Sequence, residues 1–315
     1  MTQKEPLVSV VIPTYNRADI IDKAIDSVLD QTYKNLEVVV VDDGSTDNTE
    51  EVVRSLDDPR VRYIPLEENQ GANVARNTGI KEANGEFIAF QDSDNVWDET
   101  KIEKQLKAYR NSPEDHKVIY TIVHENLLGG GKIYLPEKWA TPRNGNILNT
   151  LRKGSCVPTQ VIFTKKSCLE KVGYFDEDFP RLQDWELVFR LSKLYKFRLV
   201  EEVLVEAYHD ESSITENKEA LAKAIKMFLD KHKDDFKGYE DILSEHYFWL
   251  ASVLFTIGKN KEAHKYVKKA WSLRPFRLLT SIRLIASILG HWFFNNFRGF
   301  YRRIAYPPLD NFNPE

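Results

Sequence analysis

The chain has 315 residues, of which 42% are hydrophobic and 29% charged, and its formal net charge at pH 7 is −4. This balance is typical of a globular protein with one large domain and an appendage, or with two domains, and the weak negative charge gives no reason to expect a nucleic acid partner. No stretch reaches the ~18 uninterrupted apolar residues of a membrane-spanning helix. The N-terminus lacks the basic and apolar regions of a signal peptide, so we expect none. Cys156 and Cys168 show neither disulfide nor metal-binding spacing, which predicts buried thiols in a reducing, cytoplasmic compartment.

The first hundred residues alternate between short apolar runs and amphipathic segments. Continuous runs rich in β-branched residues predict buried strands at residues 7–12, 36–41, 61–64 and 87–90. Helical spacing of apolar residues predicts helices at residues 18–31, 50–56 and 72–83. Strands and helices that alternate through short loops predict an α/β fold, with a mainly parallel sheet flanked by helices.

Polar loops follow three of these strands directly. Tyr15 comes after the first strand, Asp43 after the second, and Asp94 after the fourth. Because ligands bind at the carboxyl ends of the strands in open parallel sheets, we expect these side chains to converge on one edge.

Asp92 and Asp94 stand one residue apart at the end of the fourth predicted strand. Side chains two positions apart on a strand project to the same side, so the two carboxylates repel each other unless a cation lies between them. The pair therefore predicts a divalent metal together with a ligand that carries phosphate. The alternative is a simple acidic turn after a strand.

Beyond Trp97 the elements are more varied. We expect helices at residues 99–111, 147–151 and 165–172 and another that begins near Leu187. Strands are predicted at residues 118–123, 161–163 and 200–208, with a hairpin partner at residues 133–135.

Several motifs occur in a fixed order along the chain. They are Val8 to Arg17, Val40 to Asp47, Ala75 to Gly79, Asp92-Ser93-Asp94 and Asp184-Trp185-Glu186. This series resembles the family 2 glycosyltransferases, the inverting group with the GT-A fold (the nucleotide-diphospho-sugar transferase fold), over roughly residues 7–215. The resemblance implies a nucleotide-sugar-binding half at residues 1–97, an acceptor-binding half at 98–215 and a helical C-terminal region at 216–315.

The resemblance also implies roles for single residues. Pro13 and Tyr15 would line the nucleobase pocket, Asp43 would hydrogen-bond the uracil edge, and Arg76 would lie near the donor, on a helix that Asn77 shapes. Asp92 would face the ribose and the metal, and Asp94 would be the direct ligand of a Mn²⁺ or Mg²⁺ ion that bridges the diphosphate.

Downstream, Asp184 would be the catalytic base that deprotonates the acceptor hydroxyl, although an Asp before Trp185 could also serve as a helix cap. His209 matches a position where relatives often carry a histidine, and would be a third metal ligand, a phosphate contact or a structural residue.

The chain departs from the family pattern at two points. Gln183 stands where many relatives have Glu, and the loss of an acidic neighbour predicts a lower pKa for Asp184. The Gln-x-x-Arg-Trp motif of processive polysaccharide synthases is missing from the sequence, which favours transfer of a single sugar.

The C-terminal region predicts helices. Residues 247–275 resemble one tetratricopeptide-type hairpin, too few for a repeat array. Residues 276–297 place Leu278, Ile282, Ile285, Leu289 and Trp292 on one face, with arginines flanking it. That pattern is typical of a helix at a membrane surface, and the alternatives are a core helix or a dimer contact.

Together these features predict a metal-dependent, inverting, non-processive glycosyltransferase. It would move one sugar from a nucleotide diphosphate sugar, with UDP as the expected nucleotide, to a glycan or a lipid-linked saccharide at the cytoplasmic membrane face. The alternatives are a nucleotidyltransferase of related fold, which normally has a Gly-rich basic loop after the first strand, and a catalytically silent binding protein that uses the C-terminal helices.

Overall fold

The computed structural model describes residues 5–126, 131–208 and 217–275. These residues fall into two compact units, one made of residues up to 178 together with 183–212, and the other of residues 179–182 and those from 213 onward. The predicted nucleotide-sugar-binding half, residues 1–97, lies within the first unit, whereas residues 179–182 of the predicted acceptor-binding half, 98–215, belong to the second.

A sheet forms the centre of the first unit, and nine strands of it lie in the described residues. The strands are β1 (Val8–Thr14), β2 (Leu36–Asp42), β3 (Val61–Pro65), β4 (Phe87–Phe90), β5 (Asn95–Trp97), β6 (His116–Asn126), β7 (Lys132–Leu135), β8 (Phe163–Lys165) and β9 (Lys196–Tyr208). The seven residues of β1 and the seven of β2 are all buried, as their continuous apolar sequences predict.

Helices cover this sheet. They are α1 (Ile21–Leu29), α2 (Thr49–Ser55), α3 (Ala72–Glu82), α4 (Lys101–Arg110), α5 (Leu148–Lys153), α6 (Lys166–Val172) and α7 (Gln183–Leu194). α3 packs closely against β1, because a methyl group on Gly79 would lie only 2.4 Å from Cγ1 of Val11. Glycine at this position lets the helix approach the sheet.

The strand order is β3-β2-β1-β4-β8-β6-β9-β5, with β7 paired to β6 outside this path. The first four strands run parallel, as do β6 and β9, whereas β8, β5 and β7 pair antiparallel with their neighbours. The predicted α/β fold is confirmed, and the sheet is mixed beyond β4. The predicted hairpin of β6 and β7 is also present.

The sequence prediction was wrong in one segment of the second half. Residues 161–163 were predicted as one strand, but Thr159–Val161 form a 3-10 turn and the strand begins at Phe163. The Val161 carbonyl accepts a hydrogen bond of 2.9 Å from the buried Gln105 side chain instead of pairing in the sheet. A long-range side-chain contact has therefore overridden the local β propensity.

In the second unit, the described residues contain α8 (Lys218–Lys231), α9 (Glu240–Thr256) and α10 (Asn260–Leu273). The predicted hairpin of α9 and α10 is present, and Ser244 Oγ donates to the Ala270 carbonyl across it at 3.0 Å. None of the helices among the described residues is long and apolar enough to cross a membrane. The predicted amphipathic helix at residues 276–297 lies outside the described residues, and so does His209.

A lysine is buried in the core of the first unit. Lys101 is fully buried, with Nζ 3.6 Å from the centre of the Trp97 ring and 3.0 Å from Oε1 of Gln105. Among the described residues, no acidic side chain forms an ion pair with Lys101. Desolvation lowers the pKa of its amino group well below the ordinary value of a lysine. The folded protein therefore binds fewer protons at this site than the unfolded chain.

This difference predicts a pH-dependent stability. Below the unfolded pKa of lysine and above the depressed folded value, wild type should gain about 1.4 kcal/mol of stability per pH unit relative to Lys101→Met. Urea unfolding of both proteins at pH 8.5 and 9.5 measures this difference, with Lys107→Met, an exposed lysine of α4, as the control. Parallel pH dependence in wild type and Lys101→Met would show that Lys101 keeps its charge in the core.

Candidate functional site

The site is built at the carboxyl ends of β2, β1 and β4, which are neighbours in the sheet. Because these strands run parallel, the segments that follow them emerge along one edge. Tyr15, Asp43 and Asp94, the three residues expected to converge, therefore follow three neighbouring strands, and Asp92 lies on the same connection as Asp94. Pro13 differs from them, since it is buried inside β1 and pairs with Val41 of β2.

Hydrogen bonds lock the first two connections together. Asn16 adopts the left-handed conformation (φ 52°), which asparagine tolerates better than most residues. Its backbone N–H donates to Ser45 Oγ at 2.8 Å, and its Oδ1 accepts from Thr46 N at 2.8 Å. Tyr15 stays 44% exposed beside this junction, so one aromatic ring is available to a ligand at the edge.

Asp43 fixes the start of α3. Its two carboxylate oxygens accept the backbone N–H groups of Gln70 and Gly71, each at 2.8 Å, and the residue is buried. Gly71 has φ 99°, a conformation that favours glycine. Each carboxylate oxygen keeps a second lone pair for a ligand donor.

Asp92-Ser93-Asp94 forms the short connection between β4 and β5. Sequence reasoning missed β5, whose antiparallel pairing with β9 aligns Asn95 with Ala207. The connection is held from inside, because Gln91 Nε2 donates to the Asn95 carbonyl at 2.7 Å. Asp92 and Asp94 themselves are half-buried.

Arg76 links this connection to α3. Its Nη2 lies 2.8 Å from Oδ1 of Asp92, and its side chain is only 8% exposed. Nε and Nη1 of Arg76 are buried without hydrogen-bond partners among the described residues. A buried guanidinium with unused N–H donors is suited to an anionic ligand such as phosphate.

Asp184 lies in the first turn of α7. Its Oδ1 accepts the backbone N–H of Trp185 at 2.7 Å, and Ser155 Oγ lies 3.5 Å from its Oδ2. Desolvation raises the pKa of the Asp184 carboxyl, and the charge of Asp92 raises it further, while the Trp185 hydrogen bond and the charge of Arg76 oppose these effects. The net shift is upward.

This direction corrects the expectation based on Gln183. Loss of an acidic neighbour predicts a lower pKa for Asp184, but burial has the larger effect. The charges of Arg76 and Asp92 act on Asp184, so one electrostatic site joins the end of β4, α3 and the start of α7. The positions of Arg76, Asp92 and Asp184 in the sequence do not show that their charges interact.

Two asparagines of α3, residues 73 and 77, hold the segment that leads to α7. Asn77 Nδ2 donates to the Phe175 carbonyl at 2.9 Å and to Oε1 of Glu177 at 2.8 Å, and its Oδ1 accepts from Phe175 N at 2.9 Å. Asn73 Nδ2 donates to the Asp176 carbonyl at 3.1 Å. The helix that carries Arg76 thus also fixes the approach to Asp184.

Asp92 and Asp94 are the carboxylates that could hold a metal ion. Clusters of three or more His, Cys, Asp or Glu side chains suited to a metal are absent from the described residues, a range that does not include His209. Mg²⁺ commonly takes one or two protein carboxylates and completes its coordination with substrate phosphates and water. Two half-buried carboxylates on one connection, one of them paired with Arg76, fit this arrangement.

Comparison with known sequences identifies the family. The profile of glycosyl transferase family 2 matches residues 9–172, slightly more than half of the chain. The chain belongs to glycosyl transferase family 2.

Two similar curated proteins come from bacteria. The putative teichuronic acid biosynthesis glycosyltransferase TuaG of Bacillus subtilis is 46% identical over 109 residues, covering 34% of this chain and 43% of the relative. The UDP-Glc:alpha-D-GlcNAc-diphosphoundecaprenol beta-1,3-glucosyltransferase WfgD of Escherichia coli is 41% identical over 133 residues, covering 42% of this chain and 52% of the relative. These matches therefore span only about half of each relative's length.

Two solved structures share the fold. S. aureus TarS 1-349 in complex with UDP-GlcNAc has a TM-score of 0.70 at 18% identity, covering 94% of this chain and 91% of TarS 1-349. The mannosyltransferase PcManGT of Pyrobaculum calidifontis, in complex with GDP-Man and Mn²⁺, has a TM-score of 0.60 at 20% identity, covering 97% of this chain and 86% of PcManGT. At these identities the likeness shows the GT-A-type fold.

Proposed function

We propose that this family 2 protein is an inverting, metal-dependent, non-processive glycosyltransferase. It moves one sugar from a nucleotide diphosphate sugar to a saccharide acceptor. The observation that carries the proposal is the single electrostatic site formed by Arg76, Asp92 and Asp184. The buried Arg76 guanidinium pairs with Asp92 and has two nitrogens without hydrogen-bond partners among the described residues, and its positive charge acts on the Asp184 carboxylate. Such a site can bind an anionic leaving group through the guanidinium and supply a base through the Asp184 carboxylate.

Donor binding uses the edge beside β1 and β2. Tyr15 offers an exposed ring for a nucleobase, with Pro13 behind it in the strand, and Asp43 accepts from the uracil edge. UDP is the proposed nucleotide, because WfgD is named for UDP-Glc and TarS was solved with UDP-GlcNAc. Arg76 donates its free N–H groups to the diphosphate.

Asp94 and Asp92 would hold Mn²⁺ or Mg²⁺, and His209, which lies outside the described residues, would add a ligand or a phosphate contact. When bound, the metal ion neutralises the charge that develops on the nucleotide diphosphate as it leaves. Mn²⁺ in the PcManGT complex supports a divalent cation in this fold.

Asp184 acts as the general base. Its raised pKa suits proton abstraction better than that of an exposed aspartate does, because a base is most effective when its pKa approaches the operating pH. The acceptor oxygen forms a bond to the anomeric carbon while the bond from that carbon to the diphosphate oxygen breaks. Asp184 takes the acceptor proton, and attack from the face opposite the leaving group inverts the anomeric centre.

The proposed acceptor is a glycan or a lipid-linked saccharide. WfgD is named for an acceptor linked to diphosphoundecaprenol, and TuaG for teichuronic acid biosynthesis. We place the enzyme in the cytoplasm, with peripheral attachment to the cytoplasmic membrane face through the segment at residues 276–297.

A donor screen tests this function. Thermal shift with Mn²⁺ and a panel of UDP-, GDP- and dTDP-sugars should give one donor class that stabilises the protein by about 2.7 kcal/mol at one hundred times its Kd. The same donor with EDTA should give a much smaller shift. A panel without any stabilising donor would remove the basis for a nucleotide-sugar enzyme, and a shift with free nucleoside triphosphates alone would favour the nucleotidyltransferase alternative.

A further inference from the structure

A tryptophan lies close to the proposed base without a role in the donor site. Trp139 belongs to the segment between β7 and α5 and is half-buried. A methyl group placed on Gly154 would lie 3.5 Å from Cη2 and 3.9 Å from Cζ2 of Trp139. The outer rim of the indole therefore faces Gly154, the residue before Ser155, whose hydroxyl reaches Asp184 at 3.5 Å.

The segment that carries Trp139 is fastened to the first unit at several points. Tyr120 Oη donates to the Arg143 carbonyl at 2.6 Å, and Thr150 Oγ1 donates to the Pro142 carbonyl at 3.0 Å. Gly145 exchanges two backbone hydrogen bonds with Phe197 of β9, at 2.8 and 2.9 Å. The chain just after Trp139 is thus fixed to the same core that carries the site.

The segment that carries Ser155 is fixed to the base. Trp185, the residue after Asp184, donates its indole N–H to the Leu151 carbonyl of α5 at 2.7 Å. This buried hydrogen bond ties α5 to α7, so Gly154 and Ser155 follow directly from a helix anchored beside Asp184. Trp139 therefore contacts Gly154, and Ser155, the next residue, lies within 3.5 Å of the Asp184 carboxylate.

Two features make this neighbourhood suitable for a sugar. Glycine at position 154 presents no side chain to the indole rim, although the extended backbone there (φ 163°) admits other residues, and Trp139 itself is only half-buried. An aromatic face beside polar groups is the environment that binds a pyranose, whose C–H face packs on the ring while its hydroxyls meet hydrogen-bonding groups.

We infer that Trp139 is the stacking platform of the acceptor subsite, which holds a pyranose with one hydroxyl directed past Ser155 to Asp184. This inference rests on the proposed transferase function and assigns its acceptor a sugar ring at the reacting end. Trp139 contributes to acceptor affinity and selectivity, whereas donor binding depends on the separate edge beside β1, β2 and β4.

The test compares three substitutions in the full chain. Trp139→Ala removes the ring, Trp139→Leu keeps apolar bulk without an aromatic face, and Trp139→Phe keeps a face. Acceptor KM is measured with N-acetylglucosaminyl diphosphate carrying a short alkyl chain, and with the donor from the thermal-shift screen. The slow release of UDP to water without acceptor gives a donor-only readout.

We expect the acceptor KM to rise about tenfold in Trp139→Ala and Trp139→Leu and to stay within about threefold of wild type in Trp139→Phe. Donor KM and acceptor-independent UDP release should not change in any of them. Trp271→Ala, at an exposed tryptophan of α10, is the matched control and should behave as wild type.

Two results would overturn the inference while leaving the proposed function standing. One is an unchanged acceptor KM in Trp139→Ala, and the other is a donor KM that rises by the same factor as the acceptor KM. Failure of wild type to release the nucleoside diphosphate from any donor of the panel, with acceptor present, would contradict the proposed function itself. The melting temperatures separate these outcomes from unfolding, because Trp139→Phe and Trp139→Leu keep most of the packing.

Discussion

Asp184→Asn is expected to lower the rate of sugar transfer by about 10²–10⁴-fold, with little change in donor KM. Asparagine keeps the size of the side chain but cannot take the acceptor proton. We expect kcat to fall without a change in donor KM, because Asp184 acts on the acceptor hydroxyl in the transition state while other residues bind the donor. Steady-state UDP release with acceptor, at several donor concentrations, measures both constants.

The same substitution should leave the protein at least as stable as wild type at neutral pH. The pKa of Asp184 is raised in the folded state, so its contribution to stability is fully present only below the unfolded pKa and is lost as pH rises through the folded pKa. Above that pKa the folded protein carries a desolvated carboxylate, and asparagine removes this cost. An inactive Asp184→Asn with an unchanged or higher melting temperature therefore separates catalysis from folding.

The pH dependence of kcat is a further test of Asp184 as the base. Because Asp184 must be ionised to act as a base, wild-type kcat should fall on the acid side, around a pKa above the ~3.9 of a free aspartate. Glu170→Gln, at an exposed carboxylate of α6, is the isosteric control and should retain the wild-type rate and profile. Transfer by Asp184→Asn within about threefold of wild type would place the base elsewhere.

Asp94→Asn is expected to weaken Mn²⁺ binding in the presence of UDP by at least about 10²-fold and to lower transfer accordingly. An amide is a neutral and weaker ligand than a carboxylate, and the site offers at most one other carboxylate on the same connection. Isothermal titration of Mn²⁺ into the UDP-bound protein measures the affinity.

Asp92→Asn should differ from Asp94→Asn in its effect on stability. It removes the carboxylate that pairs with the 8%-exposed guanidinium of Arg76, so it should lower the free energy of unfolding by about 1–3 kcal/mol, a value reduced from that of a fully buried pair because Asp92 is 28% exposed. Its Mn²⁺ affinity should fall less than that of Asp94→Asn. A larger loss of affinity in Asp92→Asn would make Asp92 the direct ligand.

The sequence alone determined the α/β architecture and the composition of the site edge. Buried parallel strands require continuous apolar runs, so β1, β2 and β4 could be recognised without any knowledge of their partners. Polar residues directly after such parallel strands lie at one edge of the sheet, which is why Tyr15, Asp43 and Asp94 could be expected there in advance.

Short or irregular elements were harder to predict. β5 has only three residues and depends on its pairing with β9. Three residues are too few to show the alternating hydrophobic pattern that predicts a strand. The 3-10 turn at Thr159–Val161 arises from a contact with Gln105, more than fifty positions away in the chain. Local propensity contains no information about such partners.

Only the tertiary structure decided the electrostatic state of the site. The pKa of Asp184 depends on how much water its carboxyl loses and on the charges of Arg76 and Asp92, which reach it through space. The sequence motif identified Asp184 as the base, but its neighbour Gln183 suggested a lowered pKa, opposite to the shift that the structure gives. Likewise, nothing in the spacing of Trp139 and Gly154 indicates that they touch. Burial and through-space contact are properties of the packed chain, because they depend on groups that sequence order does not bring together.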